Sequence, residues 1–108
     1  MHDVLIEGGL VVTATETRSV DVAVSDGRIA AIGNGLGPAT TVIDARGRLV
    51  MPGGVDTHCH VEQITGAGLM NADTFESATR SALHGGTTSI VSFAAQHPGK
   101  RLRQVVDD

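Results

Sequence analysis

The feature that most constrains this chain is an apolar stretch, residues 49–60, that ends in two histidines separated by one residue; it reads LVMPGGVDTHCH. Side chains alternate between the two faces of a β-strand, so a strand here places His58 and His60 on one face and Cys59 on the other. Positions two apart lie roughly 7 Å from each other, so both imidazoles can reach one metal ion at about 2.0–2.1 Å. Asp56 falls on the histidine face. Two histidines on a half-exposed strand, with no metal, are the alternative.

The residues around this pair resemble the amidohydrolase superfamily. Residues 52–60 match the P-G-x-x-D-x-H-x-H segment that forms the first strand of a (β/α)8 barrel in that superfamily. Residues 60–63, 71–75 and 85–88 are similar to its dihydropyrimidinase and hydantoinase branch. Matching segments run from residue 4 to about residue 96, so the resemblance covers most of the chain.

The length of the chain is short for the fold that this resemblance implies. A complete (β/α)8 barrel needs roughly 250 residues, and this sequence has 108. We therefore expect the N-terminal part of a longer α/β enzyme. Residues 1–51 are predicted to form an antiparallel β-sandwich portion, which strands from the far C terminus complete in the family. Residues 52–108 are predicted to form the first β-α-β unit of an incomplete TIM barrel and the start of its next helix.

The first half consists of short apolar runs separated by glycine-containing turns. Residues 4–6 and 10–12 flank the glycines at 8–9, and we expect a hairpin there because glycine adopts the positive φ that tight turns need. Residues 26–27, Asp-Gly, give the clearest hairpin signal in the chain, and a further pair is predicted around Gly47. About fifty residues of strand bury little apolar surface. A free-standing β module used for binding is therefore an alternative for this half.

The second half changes from strand to helix and back. Residues 61–72 form a long loop, and Asp73 then opens a helix with Glu76 in the reciprocal position of a capping box. Glycines at 85–86 end this helix. Residues 87–93 are rich in β-branched side chains and predict the next strand. Strand, helix and strand in this order form a βαβ unit, whose strands are parallel.

Composition and charge exclude several classes of protein. The chain is 41% hydrophobic and 19% charged with a net charge of -4, so it offers no basic surface for nucleic acid. No apolar run approaches the roughly 20 residues of a membrane span, so a membrane partner is not expected. The single cysteine cannot form an internal disulfide, which agrees with a reducing compartment. A cytoplasmic location is the prediction.

The resemblance implies a role for several of these residues. His58 and His60 are the predicted ligands of one ion in a binuclear divalent metal centre, zinc, and Asp56 is predicted to orient the pair from behind. The family's bridging carboxylated lysine would lie outside this chain, because Lys100 falls in an exposed polar stretch. Cys59 is predicted to pack in the core. No catalytic residue is assigned within the chain.

The resemblance also implies the reaction, hydrolysis of a C–N amide bond in a cyclic amide or imide such as dihydropyrimidine or hydantoin, by a homotetramer. Allantoinase and dihydroorotase are alternatives, although their histidine pair is followed by an arginine or by Asn-Glu-Pro-Gly, unlike residues 61–63 here. A non-catalytic dihydropyrimidinase-like scaffold protein is a further alternative. Such proteins have lost metal ligands, whereas this chain keeps His58 and His60. Catalytic zinc has at least three protein ligands. The chain alone, with two, is predicted to be inactive.

Overall fold

The computed structural model describes residues 1–107, and the chain divides after Pro52 into two units. The first unit consists of short strands. Their bounds are β1 His2–Glu7, β2 Leu10–Val12, β3 Thr17–Ser19, β4 Asp21–Ser25, β5 Arg28–Gly33, β6 Ala39–Asp44 and β7 Leu49–Val50. One sheet has the strand order β5-β4-β1-β6, and the other has the order β3-β2-β7.

A cluster of valines joins these sheets. Val11 of β2, Val22 of β4 and the intervening Val20 are buried together, and Ile6 and Val50 pack against them. Val20 lies where the chain passes from β3 in one sheet to β4 in the other. Burial of a valine side chain contributes roughly 1.5–3 kcal/mol. The alternating valines of this segment therefore hold the two sheets against each other.

The hairpin predicted at residues 26–27 is confirmed. Strands β4 and β5 pair in antiparallel fashion, with Ser25 opposite Arg28 across the turn. Asp26 and Gly27 have φ values of 51° and 69°. Positive φ at both central residues is the geometry that matches the twist of a two-residue hairpin.

The hairpins predicted at residues 8–9 and around Gly47 are wrong, and with them the prediction of a purely antiparallel unit. At both points the chain leaves one sheet and enters the other, so β1 pairs in parallel with β6, and β2 in parallel with β7. The two segments that cross between the sheets, around residues 8–9 and around Gly47, lie side by side. They are so close that a Cβ added at Gly9 would come within 2.5 Å of Val50 Cγ2. Glycine signals a turn, but the packing of the two sheets decides which strand becomes the partner.

The second unit begins with strand β8 and follows the predicted βαβ order. Its elements are β8 Gly54–Cys59, α1 Phe75–His84, β9 Thr87–Ser92 and α2 Leu102–Asp107. Strands β8 and β9 are parallel and α1 packs against β9, which confirms the βαβ prediction. Within residues 1–107, neither helix combines the length and apolar character that crossing a membrane requires.

The start of α1 lies one residue later than predicted. Thr74, not Asp73, is the N-cap: its hydroxyl accepts from the Ser77 N–H at 3.1 Å, and Ser77 Oγ accepts from the Thr74 N–H at 3.0 Å. This reciprocal pair uses the serine where the sequence suggested Glu76. The glutamate instead pairs with the next turn of the helix. Asp73 and Thr74 are both residue types that cap helices, so the spacing of residues alone could not decide between them.

The βαβ unit leaves much of its apolar surface uncovered. Helix α1 has no buried residue, and Val55, Leu83 and Val91 are 61%, 62% and 57% exposed. Strands of parallel sheets are normally covered on both faces. Because these faces are open, residues 53–107 on their own bury little of the apolar surface that such a unit needs for stability.

Gly53, just before β8, is expected to tolerate no side chain. A Cβ there would collide with the Thr88 side chain, so Gly53→Ala should destabilise the protein by about 1–3 kcal/mol through overpacking. Gly66→Ala is the matched control, since no atom lies within 4 Å of its added Cβ. Thermal unfolding of both variants beside the unaltered protein measures the difference. Equal midpoints for the two variants would contradict the packing described here.

Candidate functional site

The two predicted histidines lie together where β8 ends. Strand β8 stops at Cys59, whose carbonyl accepts from the Phe93 N–H at 2.7 Å, and His60 follows directly. The Nε2 atoms of His58 and His60 are 3.1 Å apart. The ring centroids are separated by 5.1 Å, so the rings converge at their Nε2 tips.

This pair fits a metal ion as two of its ligands. Two nitrogens on one tetrahedral zinc, each at about 2.0–2.1 Å, lie about 3.4 Å apart, close to the observed 3.1 Å. Within residues 1–107, no three His, Cys, Asp or Glu side chains are grouped to hold a metal. Among the described residues, the imidazoles of His58 and His60 are therefore a pair of possible metal ligands without a third beside them.

Asp56 contacts the main chain of the pair. Its Oδ1 accepts from the His58 N–H at 3.1 Å, so the carboxylate fixes the backbone that carries the first imidazole. It does not complete a ligand group with the two rings. A role in orienting the pair, which carboxylates behind histidine ligands often have, stays a prediction.

Phe93 is a site residue that the sequence analysis missed. Its ring lies 5.5 Å from the His58 ring in a stacked arrangement and 4.8 Å from the His60 ring. Phe93 follows β9 directly, and the carboxyl ends of parallel strands meet at one edge of a sheet. That rule, applied to the predicted βαβ unit, could have placed this ring beside the histidines.

The loop after His60 folds back onto it. Residues Ile64 and Met70 form a β-bridge, and the Asn71 N–H donates to the Gln63 carbonyl at 3.0 Å. His60 Nδ1 donates to Gln63 Oε1 at 2.6 Å, and Asn71 Nδ2 donates to the His60 carbonyl at 2.9 Å. Both the ring and the main chain of His60 are therefore held by this loop.

The single cysteine and two further histidines are placed as follows. The Cys59 thiol is half-buried and donates to the Val91 carbonyl at 3.6 Å, away from the imidazole tips. His84 lies in the last turn of α1. His97 accepts through its carbonyl from the Lys100 N–H at 3.1 Å, in a turn beyond β9. The contacts described for Cys59, His84 and His97 do not involve the imidazole pair.

Several known proteins similar to this chain are named D-hydantoinase or allantoinase. The sequence profile of the amidohydrolase family matches residues 41–107. The D-hydantoinase of Rhizobium radiobacter is 47% identical over 104 residues, which cover 96% of this chain and 22% of that enzyme. An Escherichia coli allantoinase is 44% identical over 105 residues, which cover 97% of this chain and 22% of that enzyme.

The fold is also similar to that of a solved D-hydantoinase, with a TM-score of 0.91 and 46% identity over 97% of this chain and 23% of that one. The chain spans about 22% of the length of the curated relatives named above. The family profile covers β8, the imidazole pair and the whole βαβ unit. The resemblance seen in residues 52–60 is thereby confirmed, and the chain belongs to the amidohydrolase family.

Proposed function

We propose that this chain is part of a metal-dependent cyclic amidohydrolase that opens hydantoin or dihydropyrimidine rings by hydrolysing a C–N amide bond. The observation that carries the proposal is the convergence of two imidazole Nε2 atoms, 3.1 Å apart, at the end of β8. The identity of 47% to a D-hydantoinase supports the choice of substrate class. In this proposal residues 1–51 contribute to a β-sandwich and residues 52–108 begin a TIM barrel.

His58 and His60 would hold one divalent ion, zinc, of a binuclear centre. When bound, such an ion polarises a carbonyl oxygen and lowers the pKa of water. The carboxylated lysine, the remaining ligands and the aspartate that moves the proton would lie outside residues 1–108. A homotetramer in the cytoplasm is part of the same proposal.

The chain's own residues would position this part of the centre. Asp56 fixes the His58 main chain, and the ring of Phe93 covers one side of the imidazole pair. His58 and His60 would act as ligands and carry no proton in the reaction itself.

Allantoinase is the second candidate, because a relative with that name is 44% identical over nearly the whole chain. Dihydroorotase and a non-catalytic scaffold remain as further alternatives. The retained imidazole pair favours a metal-dependent enzyme over a scaffold.

Ring-opening assays of the full-length protein distinguish these functions. We expect turnover of hydantoin or dihydrouracil that a chelator abolishes and zinc restores. Turnover of allantoin or dihydroorotate alone would reassign the substrate. Absence of turnover on all four substrates, with zinc bound, would contradict an enzymatic role and favour the scaffold.

A further inference from the structure

We propose that Gln63 is a positioning residue that fixes the tautomer of His60 and so presents His60 Nε2 to the metal. This inference rests on the proposed function, because it assigns a role within the same metal centre. It concerns a residue of the loop, half-buried beside the imidazole pair.

The hydrogen bond between the two side chains determines the tautomer. The carbonyl oxygen of a glutamine side chain has no proton and can only accept. His60 Nδ1, which lies 2.6 Å from Gln63 Oε1, must therefore carry the proton. In a neutral imidazole the other nitrogen then has its lone pair free to bind a metal or accept a hydrogen bond.

The geometry at the other nitrogen agrees with this assignment. His60 Nε2 lies 3.1 Å from His58 Nε2, so its free lone pair can accept a hydrogen bond from a protonated His58 Nε2. This contact occupies the point at which both nitrogens could meet an ion. For both Nε2 atoms to hold an ion, the proton of His58 would have to move from Nε2 to Nδ1 of the same ring, while the hydrogen bond from His60 Nδ1 to Gln63 would stay in place.

The loop holds Gln63 in the conformation that this role requires. Glu62 has φ of 52°, a left-handed conformation unusual for a residue with a side chain, and it turns the chain away from the direction of β8. The Asn71 N–H then fixes the Gln63 carbonyl at 3.0 Å. Asn71 also donates its side-chain amide to the His60 carbonyl at 2.9 Å. Gln63 and His60 are therefore held together by one direct hydrogen bond between their side chains and by Asn71, which donates to the main-chain carbonyls of both.

Replacement of Gln63 in the full-length protein tests this role through metal affinity. Gln63→Leu removes the acceptor, and loss of a partner behind a metal-binding histidine typically weakens metal binding 10–100-fold. Gln63→Glu keeps an acceptor oxygen and should retain affinity close to the wild type. Gln96→Leu is the matched control, because Gln96 is an exposed loop glutamine whose side chain donates to the Lys100 carbonyl.

Zinc affinity is measured by competition with a chromogenic chelator, and thermal unfolding of the zinc-free variants checks their folding. The proposal expects Gln63→Leu alone to lose affinity, with an unchanged unfolding midpoint. Wild-type affinity in Gln63→Leu, or equal losses in Gln63→Leu and Gln63→Glu, would overturn it. If the wild type binds zinc but opens no ring, the proposed function fails while the affinity comparison still decides the role of Gln63. A wild type that binds no zinc would overturn both.

Discussion

Replacing His58 or His60 with alanine in the full-length protein is expected to reduce zinc affinity by more than the roughly 10–100-fold typical of a residue behind a ligand. Each substitution removes one of the two Nε2 atoms that converge to 3.1 Å. An ion that polarises a carbonyl supplies several kcal/mol of transition-state stabilisation. Because 1.36 kcal/mol corresponds to tenfold in rate, ring opening should fall by about 10³-fold or more.

The control for these variants is His84→Ala. His84 is exposed in the last turn of α1, so its loss should change helix stability slightly and leave zinc content and turnover near wild type. Zinc content is measured by elemental analysis after gel filtration, and turnover by ring opening of hydantoin and dihydrouracil. Full zinc content and full turnover in both His58→Ala and His60→Ala would contradict the ligand assignment.

The 108-residue chain by itself is expected to bind zinc weakly and to show no ring opening above the uncatalysed reaction. Residues 1–107 bring no third metal-binding side chain to the imidazole pair, and catalytic zinc sites have at least three protein ligands. The βαβ unit also leaves large apolar side chains open, including Val55 at 61% and Leu83 at 62% exposure.

Equilibrium dialysis against zinc and the same ring-opening assays measure both expectations, with the full-length protein as the positive control. Stoichiometric zinc that survives dialysis, or enzyme-like turnover by the isolated chain, would contradict the proposal that it carries only part of a metal site. We expect the full-length protein to retain zinc and open the rings, and the isolated chain to do neither.

The sequence predicted those parts of the structure that depend on local periodicity. A strand ending in His-x-His placed two imidazoles on one face because its side-chain period is two, and their Nε2 atoms do converge. The Asp-Gly turn at 26–27 and the parallel βαβ unit were also predictable, because the residue types of a turn and the order of strands and helices can be read directly from the sequence.

Nonlocal contacts were not predictable in this way. The turns at residues 8–9 and Gly47 look like hairpin turns in sequence, yet both lead to the opposite sheet, because the buried valine cluster joins the two sheets. Gln63 reaches His60 only because Glu62 adopts a positive φ and the loop folds back. Phe93, 33 residues after His60, lies beside the pair because β8 and β9 are parallel, so only the pairing of the two strands, and not local periodicity, could place its ring there.

Anomalous X-ray scattering from crystals of the zinc-loaded full-length protein tests the ligand assignment most directly. Data recorded on either side of the zinc absorption edge identify the ion and locate it. We expect a zinc peak at about 2.0–2.1 Å from the Nε2 atoms of both His58 and His60, with His60 Nδ1 still donating to Gln63. A zinc peak bound to neither imidazole, or to only one of them, would contradict the assignment.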